Sequence, residues 1–235
     1  MSAPVLRIAA VRKQYQGLRP LRVQSLTVGA GERVALSGFD AGAAEVLVNL
    51  ITGASVPDEG TVEVCGHATD AIADGDDWLA WLDRFGIVSP RAVLLEAATL
   101  GQNLAMPLTL AIDPVPPEIA AQVETLADDV GLDRALLGAP VAGLDRSQLA
   151  RAHLARAIAL GPSLLIVEHP TIGFTPGQAG PFGETVARVA GSRSLAALII
   201  SEDTDFSSAA APRRLRLQPA SGELKSPRRW PFGQR

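Results

Sequence analysis

The segment Gly38 to Gly53, GFDAGAAEVLVNLITG, follows a strand-like run at Arg33 to Ser37 and carries the helical apolar pattern Val46, Leu47, Leu50, Ile51. Strand, glycine turn and helix in that order form the frame of a phosphate-binding loop, G-x-x-x-x-G-K-[ST]. In a working loop, backbone N–H groups cradle phosphates, a lysine reaches the β and γ oxygens, and a hydroxyl sits on Mg²⁺. Here the last three positions are Ala43, Ala44 and Glu45. The residues Gly38, Phe39, Asp40, Ala41, Gly42, Ala43, Ala44, Glu45 and Val46 are therefore read as a degenerate nucleotide loop. Losing the lysine charge and gaining a carboxylate each change the energy of a polyanion at ~4 Å by ~4 kcal/mol, for an effective dielectric of ~20. A millimolar ligand binds with only ~4 kcal/mol in total. Ordinary tight binding of Mg-ATP is not expected, and Glu45 is a candidate to ligate a cation directly.

With 235 residues and 47% hydrophobic content, the chain can bury a large core in one domain or in a core plus a smaller lobe. Its net charge of −4 does not favour a nucleic-acid partner. The single cysteine, Cys65, excludes an intramolecular disulfide and a multi-cysteine zinc site, which suits a reducing cytosol. Its place in the run TVEVC predicts a core position. The N-terminus lacks a charged stretch followed by an apolar signal core, and no run approaches the ~18 apolar residues of a membrane span. A soluble chain is expected, reaching a membrane only through a partner or surface contact. The tail KSPRRWPFGQR is the one basic, aromatic segment suited to such contact, and is otherwise a frayed terminus.

Strand-like runs occur at VLRIAA, LRVQSLTV, RVALS, TVEVC, FGIVS, SLLIVE, LAALIIS and RRLRLQ, with helical patterns after several of them. This is α/β layering. SLLIVE and LAALIIS are almost continuously apolar, as central strands of a mostly parallel sheet must be. Between Pro90 and Asp145 the strand signal disappears, and Pro117 to Val130 reads as a helix opened by proline and acidic early. The expected organisation is an α/β core, residues 1–89 and 146–235, with a helical lobe inserted at 90–145.

Several segments, in order and at the right separations, resemble the ATP-binding cassette of ABC transporters across nearly the whole chain. Tyr15 in VRKQYQGL is similar to the aromatic that stacks on adenine in that family, and LTVGAGERVALSG to the strand pair entering the phosphate loop. FGIVSPRAVLLEAATLGQNLAMPL resembles the coupling-loop segment, LDRSQLARAHLARAIAL the signature helix, SLLIVEHPTIGFTP the Walker B strand with its D-loop, and LAALIISED the switch-histidine strand. The resemblance implies a P-loop NTPase-like fold, with a mixed sheet core, an N-terminal antiparallel β subdomain and an inserted helical subdomain.

Departures from that family fall on the positions that touch nucleotide. Pro90 stands in place of the glutamine that senses Mg²⁺ and water. The signature LSGGQ becomes Leu144, Asp145, Arg146, Ser147 and Gln148. Glu168 replaces the metal-associated aspartate, His169 the glutamate that polarises water, Glu202 the switch histidine and Thr175 the D-loop aspartate. No catalytic group is intact and no metal site is expected with confidence, while the packing positions in LARAIAL and SLLIVE persist.

In the family two cassettes dimerise head to tail, each ATP lying between one phosphate loop and the other signature. Ala44 with Glu45 would spoil one such site and Asp145 the other, unless Arg146 supplies a compensating charge. The implied role is a pseudo-ATPase subunit on the cytoplasmic face of the membrane, docking a permease beside the Pro90 to Leu108 lobe. Its second cassette is either an identical or a different chain, and lipid or lipoprotein transport is the nearest branch. One competing reading is an ATPase with Glu45 and Glu168 on Mg²⁺ and His169 as base, binding ATP through Tyr15 and the loop backbone. A third is a soluble interaction module without a permease.

Overall fold

Two strands with no polar face, Leu164–Glu168 and Ala196–Ile200, are buried at every position. They pair in parallel from Leu164 opposite Ala196 to Glu168 opposite Ile200. The computed structural model describes residues 3–72 and 74–227, so most of the basic tail, residues 228–235, lies outside the described residues. In chain order the elements are β1 (Leu6–Lys13), β2 (Leu21–Val28), β3 (Arg33–Ser37), α1 (Ala41–Ile51), β4 (Glu59–Val64), β5 (His67–Ala68), α2 (Gly75–Leu82), β6 (Phe85–Val88), α3 (Leu100–Ala105), α4 (Pro117–Val130), α5 (Arg146–Ile158), β7 (Leu164–Glu168), α6 (Ala179–Ser192), β8 (Ala196–Ile200), α7 (Thr204–Ala210), β9 (Arg213–Gln218) and β10 (Glu223–Lys225).

The main sheet has the order β10-β9-β3-β8-β7-β6, parallel except for β10 at the edge. Successive residues of a strand face opposite sides, and the central strands divide their side chains accordingly. Leu164, Ile166, Leu198 and Ile200 join a cluster with Leu47, Leu50 and Ile51 of α1. Leu165, Val167, Ala197 and Ile199 join another with Leu154 and Ile158 of α5 and Phe182 and Val186 of α6. The second sheet, β2-β1-β4-β5, is antiparallel and half-solvated. Its strand β2 alternates, burying Leu21, Val23, Leu26 and Val28, so that α1 is enclosed between the two sheets.

Residues 90–145 hold α3, α4 and short 3-10 turns, with one isolated bridge between Thr99 and Pro140. Helix α4 begins with Pro117 in its first turn, where the missing N–H costs nothing, and ends at Gly131 in the left-handed conformation (φ +69°). Its stripe Val123, Leu126, Ala127 and Val130 is buried in the same cluster as α5. One expectation is adjusted: Cys65 is a half-buried residue just past β4, with φ +50°, packed against the edge of the core cluster and not inside it. The chain turns there into β5, and its strand pattern ends one residue earlier than TVEVC suggests.

Candidate functional site

The glycine turn after β3 is where the site begins. Gly38 has φ +86°, and a Cβ on it would come within 2.9 Å of the Leu217 carbonyl oxygen, so a side chain is excluded twice over. Asp40 is the N-cap of α1, its Oδ1 accepting the Ala43 N–H at 2.7 Å. We expect Asp40→Ala to lower the unfolding free energy by about 1 kcal/mol, measured by urea denaturation. A change below about 0.3 kcal/mol would show that the cap is not holding the loop. Ala43 and Ala44 are buried, Ala44 completely, so the position of the usual lysine is closed over by packing.

Two further backbone donors of the turn are also engaged. Glu202 Oε1 accepts the N–H of Gly38 at 2.5 Å and of Phe39 at 3.2 Å. Tyr15 lies across the loop: a methyl on Gly42 would sit 3.3 Å from its Cε2, and one on Gly17 would overlap the ring. Burial and then the Asp40 carboxylate push the Tyr15 phenol above its ordinary pKa.

At the end of β7, Glu168 is 1% exposed and fully partnered. Arg91 grips it with two bonds, Nη1 to Oε1 at 2.7 Å and Nη2 to Oε2 at 2.8 Å, and the Ser89 hydroxyl donates to Oε2 at 2.9 Å. Parallel pairing of β6 and β7, Val88 opposite Val167, brings Ser89 and the following residues past Glu168. Arg91 Nη1 is also 3.8 Å from Glu45 Oε2 at the start of α1. A guanidinium thus stands between the two carboxylates that a divalent cation would bridge. Pro90 lies in the same turn and brings no polar side chain. Neither Arg91 nor Ser89 was singled out from sequence. The available signal was a buried acid ending a central strand, which demands a cation, and Arg91 is the first basic residue after the neighbouring strand FGIVS.

His169 follows directly with φ +40°, its backbone N–H donating to the Ile200 carbonyl at 2.8 Å. Its Nε2 is buried without a hydrogen-bond partner among the described residues. The signature-equivalent residues are drawn into helix structure: Asp145 caps α5, accepting the Gln148 N–H at 2.8 Å, while Gln148 Oε1 accepts the Asp145 N–H at 2.9 Å. Leu144 and Ser147 flank that cap half-buried and exposed Arg146 lies over Gly173. Thr175 and Gln178 begin the turn into α6, the Thr175 N–H donating to Gln178 Oε1 at 2.9 Å. The structure thus brings Tyr15, the loop, Glu202, Glu168 and Arg91 together and leaves the signature-equivalent residues at the start of α5.

Between β6 and α5 an open groove of about 250 Å³ is lined by Leu82, Phe85, Ile87, Pro107, His153 and Arg156. Burial, aided by Arg156, holds the His153 imidazole below its ordinary pKa. Val93, Leu95 and Leu160 are exposed apolar residues of the surrounding segments.

A parallel sheet whose strand runs through a glycine turn into an enclosed helix, flanked by an antiparallel sheet and an inserted helical segment, is the architecture of an ATP-binding cassette. The chain belongs to the ABC transporter family, whose model matches residues 21–172. It is 33% identical over 175 residues to the lipoprotein-releasing system ATP-binding protein LolD of Anaeromyxobacter dehalogenans, covering 73% of each chain. It is 30% identical over 200 residues to the phosphonates import ATP-binding protein PhnC of the same organism, covering 82% of this chain and 40% of that protein. The methionine import ATP-binding protein MetN of Brucella abortus is 28% identical over 204 residues, with 87% of this chain and 54% of that protein covered. The chain therefore spans about half the length of these import relatives. Among solved structures, CbiO1 of Clostridium perfringens aligns with a TM-score of 0.79 at 19% identity, over 95% of this chain and 87% of that one. The bacterial cassette MJ0796 aligns with a TM-score of 0.76 at 19% identity, over 94% and 97%.

Proposed function

We propose that this chain is a cassette-shaped subunit of an ABC transporter that has given up ATP hydrolysis and serves a membrane permease as a structural or regulatory partner. The observation that carries the reading is Arg91. Its guanidinium sits against Glu168 and within 3.8 Å of Glu45, supplying from within the chain the positive charge that Mg²⁺ supplies to a working site. Residues that pair their own carboxylates with arginine, present no loop lysine and cover the Gly38 and Phe39 donors with Glu202 do not fit a magnesium triphosphate. Asp145, committed to capping α5, offers carboxylate where a partner's nucleotide would need a donor.

The groove beside Ile87 and Pro107 is the surface we assign to the permease, in keeping with names such as import or lipoprotein-releasing ATP-binding protein among the relatives. Association with the inner face of the membrane would follow from that contact, since no helix among the described residues is long and apolar enough to cross a membrane. A second cassette, identical or different, would complete the assembly. A reading as an active ATPase draws on one observation, the convergence of Glu45 and Glu168 on a single cationic group. It requires Mg²⁺ to displace an arginine held by two charge-assisted bonds.

Titration of the purified chain with ATP and with ADP by calorimetry, with and without Mg²⁺, separates the two. We expect no heat of binding at ~1 mM nucleotide, where the available free energy is ~4 kcal/mol. Mg²⁺-dependent binding at cellular ATP concentrations, or robust turnover, would sink the pseudo-ATPase reading.

A further inference from the structure

The parallel register of β3 and β8, Leu36 opposite Ile200, continues beyond both strands and carries Glu202 alongside Gly38. The backbone on either side of Glu202 is pinned. The Ser201 N–H donates to the Leu36 carbonyl at 3.0 Å, and Asp203 caps α7 by accepting the Phe206 N–H at 3.0 Å. Between these anchors the Glu202 side chain is exposed, yet it turns inward onto the N–H groups of Gly38 and Phe39. Two successive N–H groups converging on one anionic oxygen is the way such a turn holds a phosphate oxygen.

We propose that Glu202 is a tethered ligand of the loop, an autoinhibitory contact that keeps the turn in its anion-bound shape without nucleotide. The proposal deepens the reading of the site as a non-hydrolysing one and rests on it. A group held by its own chain acts at an effective concentration on the order of millimolar or higher. A soluble phosphate anion, deprived of lysine and metal, must compete with a carboxylate already in place. Because the side chain is solvent-accessible, the contact is reversible, and an anion presented with enough local charge can displace it.

The test is amide hydrogen exchange and chemical shift at Gly38 and Phe39, by NMR on the full chain, with inorganic pyrophosphate as the probe. In wild type both amides are expected to be protected and insensitive to millimolar pyrophosphate. In Glu202→Ala their exchange should accelerate by roughly tenfold or more, the loss of a charge-assisted bond. Pyrophosphate should then bind at least about tenfold more tightly than to wild type and restore protection. Glu202→Gln keeps an acceptor oxygen without the charge, so it should fold normally and fall between the two in both readouts.

Equal exchange at Gly38 and Phe39 in wild type and both variants would overturn the proposal. So would equal pyrophosphate affinity in wild type and Glu202→Ala, or a Glu202→Gln chain matching wild type in both readouts. Binding of Mg-ATP to the wild type would instead count against the pseudo-ATPase reading, and the amide data would still decide whether Glu202 occupies the loop.

Discussion

Arg91→Ala is expected to lower the unfolding free energy by about 3 kcal/mol, the low end of what breaking a buried ion pair costs. Glu168 is almost entirely buried while the Arg91 side chain is 40% exposed, so the loss is dominated by the carboxylate left without its partner. Among the described residues, only the Ser89 hydroxyl would remain to it. For a chain of this size the melting temperature should fall by roughly 6–12 °C. The neighbouring contact of Arg91 with Glu45 joins two half-exposed groups at 3.8 Å, and Glu45→Ala should change stability by less than about 0.5 kcal/mol. Replacing both partners with apolar groups, Arg91→Met with Glu168→Met, should return the protein to within about 1 kcal/mol of wild type, because no charge is then buried alone. Urea unfolding of the four chains decides the matter. A loss below about 1 kcal/mol in Arg91→Ala would mean that Glu168 is not held by this arginine.

The parts of the fold legible in the sequence were those governed by burial on a regular period. LLIVE and AALII could not sit anywhere but mid-sheet, and the Pro117 to Val130 helix was marked at its start by proline and an early acid. Cys65 lies at the edge of the core and not within it because alternation alone does not show where a strand stops, and the turn into β5 is set by backbone conformation at φ +50°. Glu168 and Glu202 were singled out through the resemblance to cassettes, and the structure sets Glu168 at the end of β7 and Glu202 beside Gly38.

What each residue touches depended on neighbours far away in the chain. Glu168 and Arg91 are 77 positions apart, Glu202 and Gly38 164 positions apart, and their meetings follow from the parallel registers β6–β7 and β3–β8. Read alone, Glu45, Glu168 and Asp145 are three unwelcome negative charges. Folded, Glu168 is neutralised by arginine, Glu45 lies near the same arginine, and Asp145 is consumed as a helix cap. Glu168 with Arg91 and Ser89, Glu202 with the Gly38 and Phe39 N–H groups, and Asp145 with Gln148 satisfy one another. On the proposed reading, restoring the missing loop residues is not expected by itself to restore nucleotide binding.

That distinction has a measurable consequence. Ala44→Lys with Glu45→Ser recreates the loop motif, but Ala44 is completely buried, and inserting a long side chain into a packed position costs about 1–3 kcal/mol. Arg91 would still occupy Glu168, and Glu202 would still cover Gly38 and Phe39. We expect this pair of substitutions to leave nucleotide binding no tighter than about millimolar. Adding Arg91→Gln and Glu202→His frees the carboxylate of Glu168 for Mg²⁺ and the Gly38 and Phe39 N–H groups for phosphate; the positive charge lost at 91 cancels the negative one lost at 202. The gain comes from Mg²⁺, which would bring two positive charges where arginine held one, and with each unit charge at ~4 Å worth ~4 kcal/mol at an effective dielectric of ~20, the fourfold variant should bind Mg-ATP at least about 100-fold more tightly than the double one. Because Glu168 would lack its arginine until metal arrives, Mg-ATP should also raise the melting temperature of the fourfold variant and leave wild type unmoved. Calorimetry and thermal unfolding with and without Mg²⁺ measure both effects. If the double variant bound Mg-ATP as tightly as the fourfold one, Arg91 and Glu202 would not be what keeps nucleotide out.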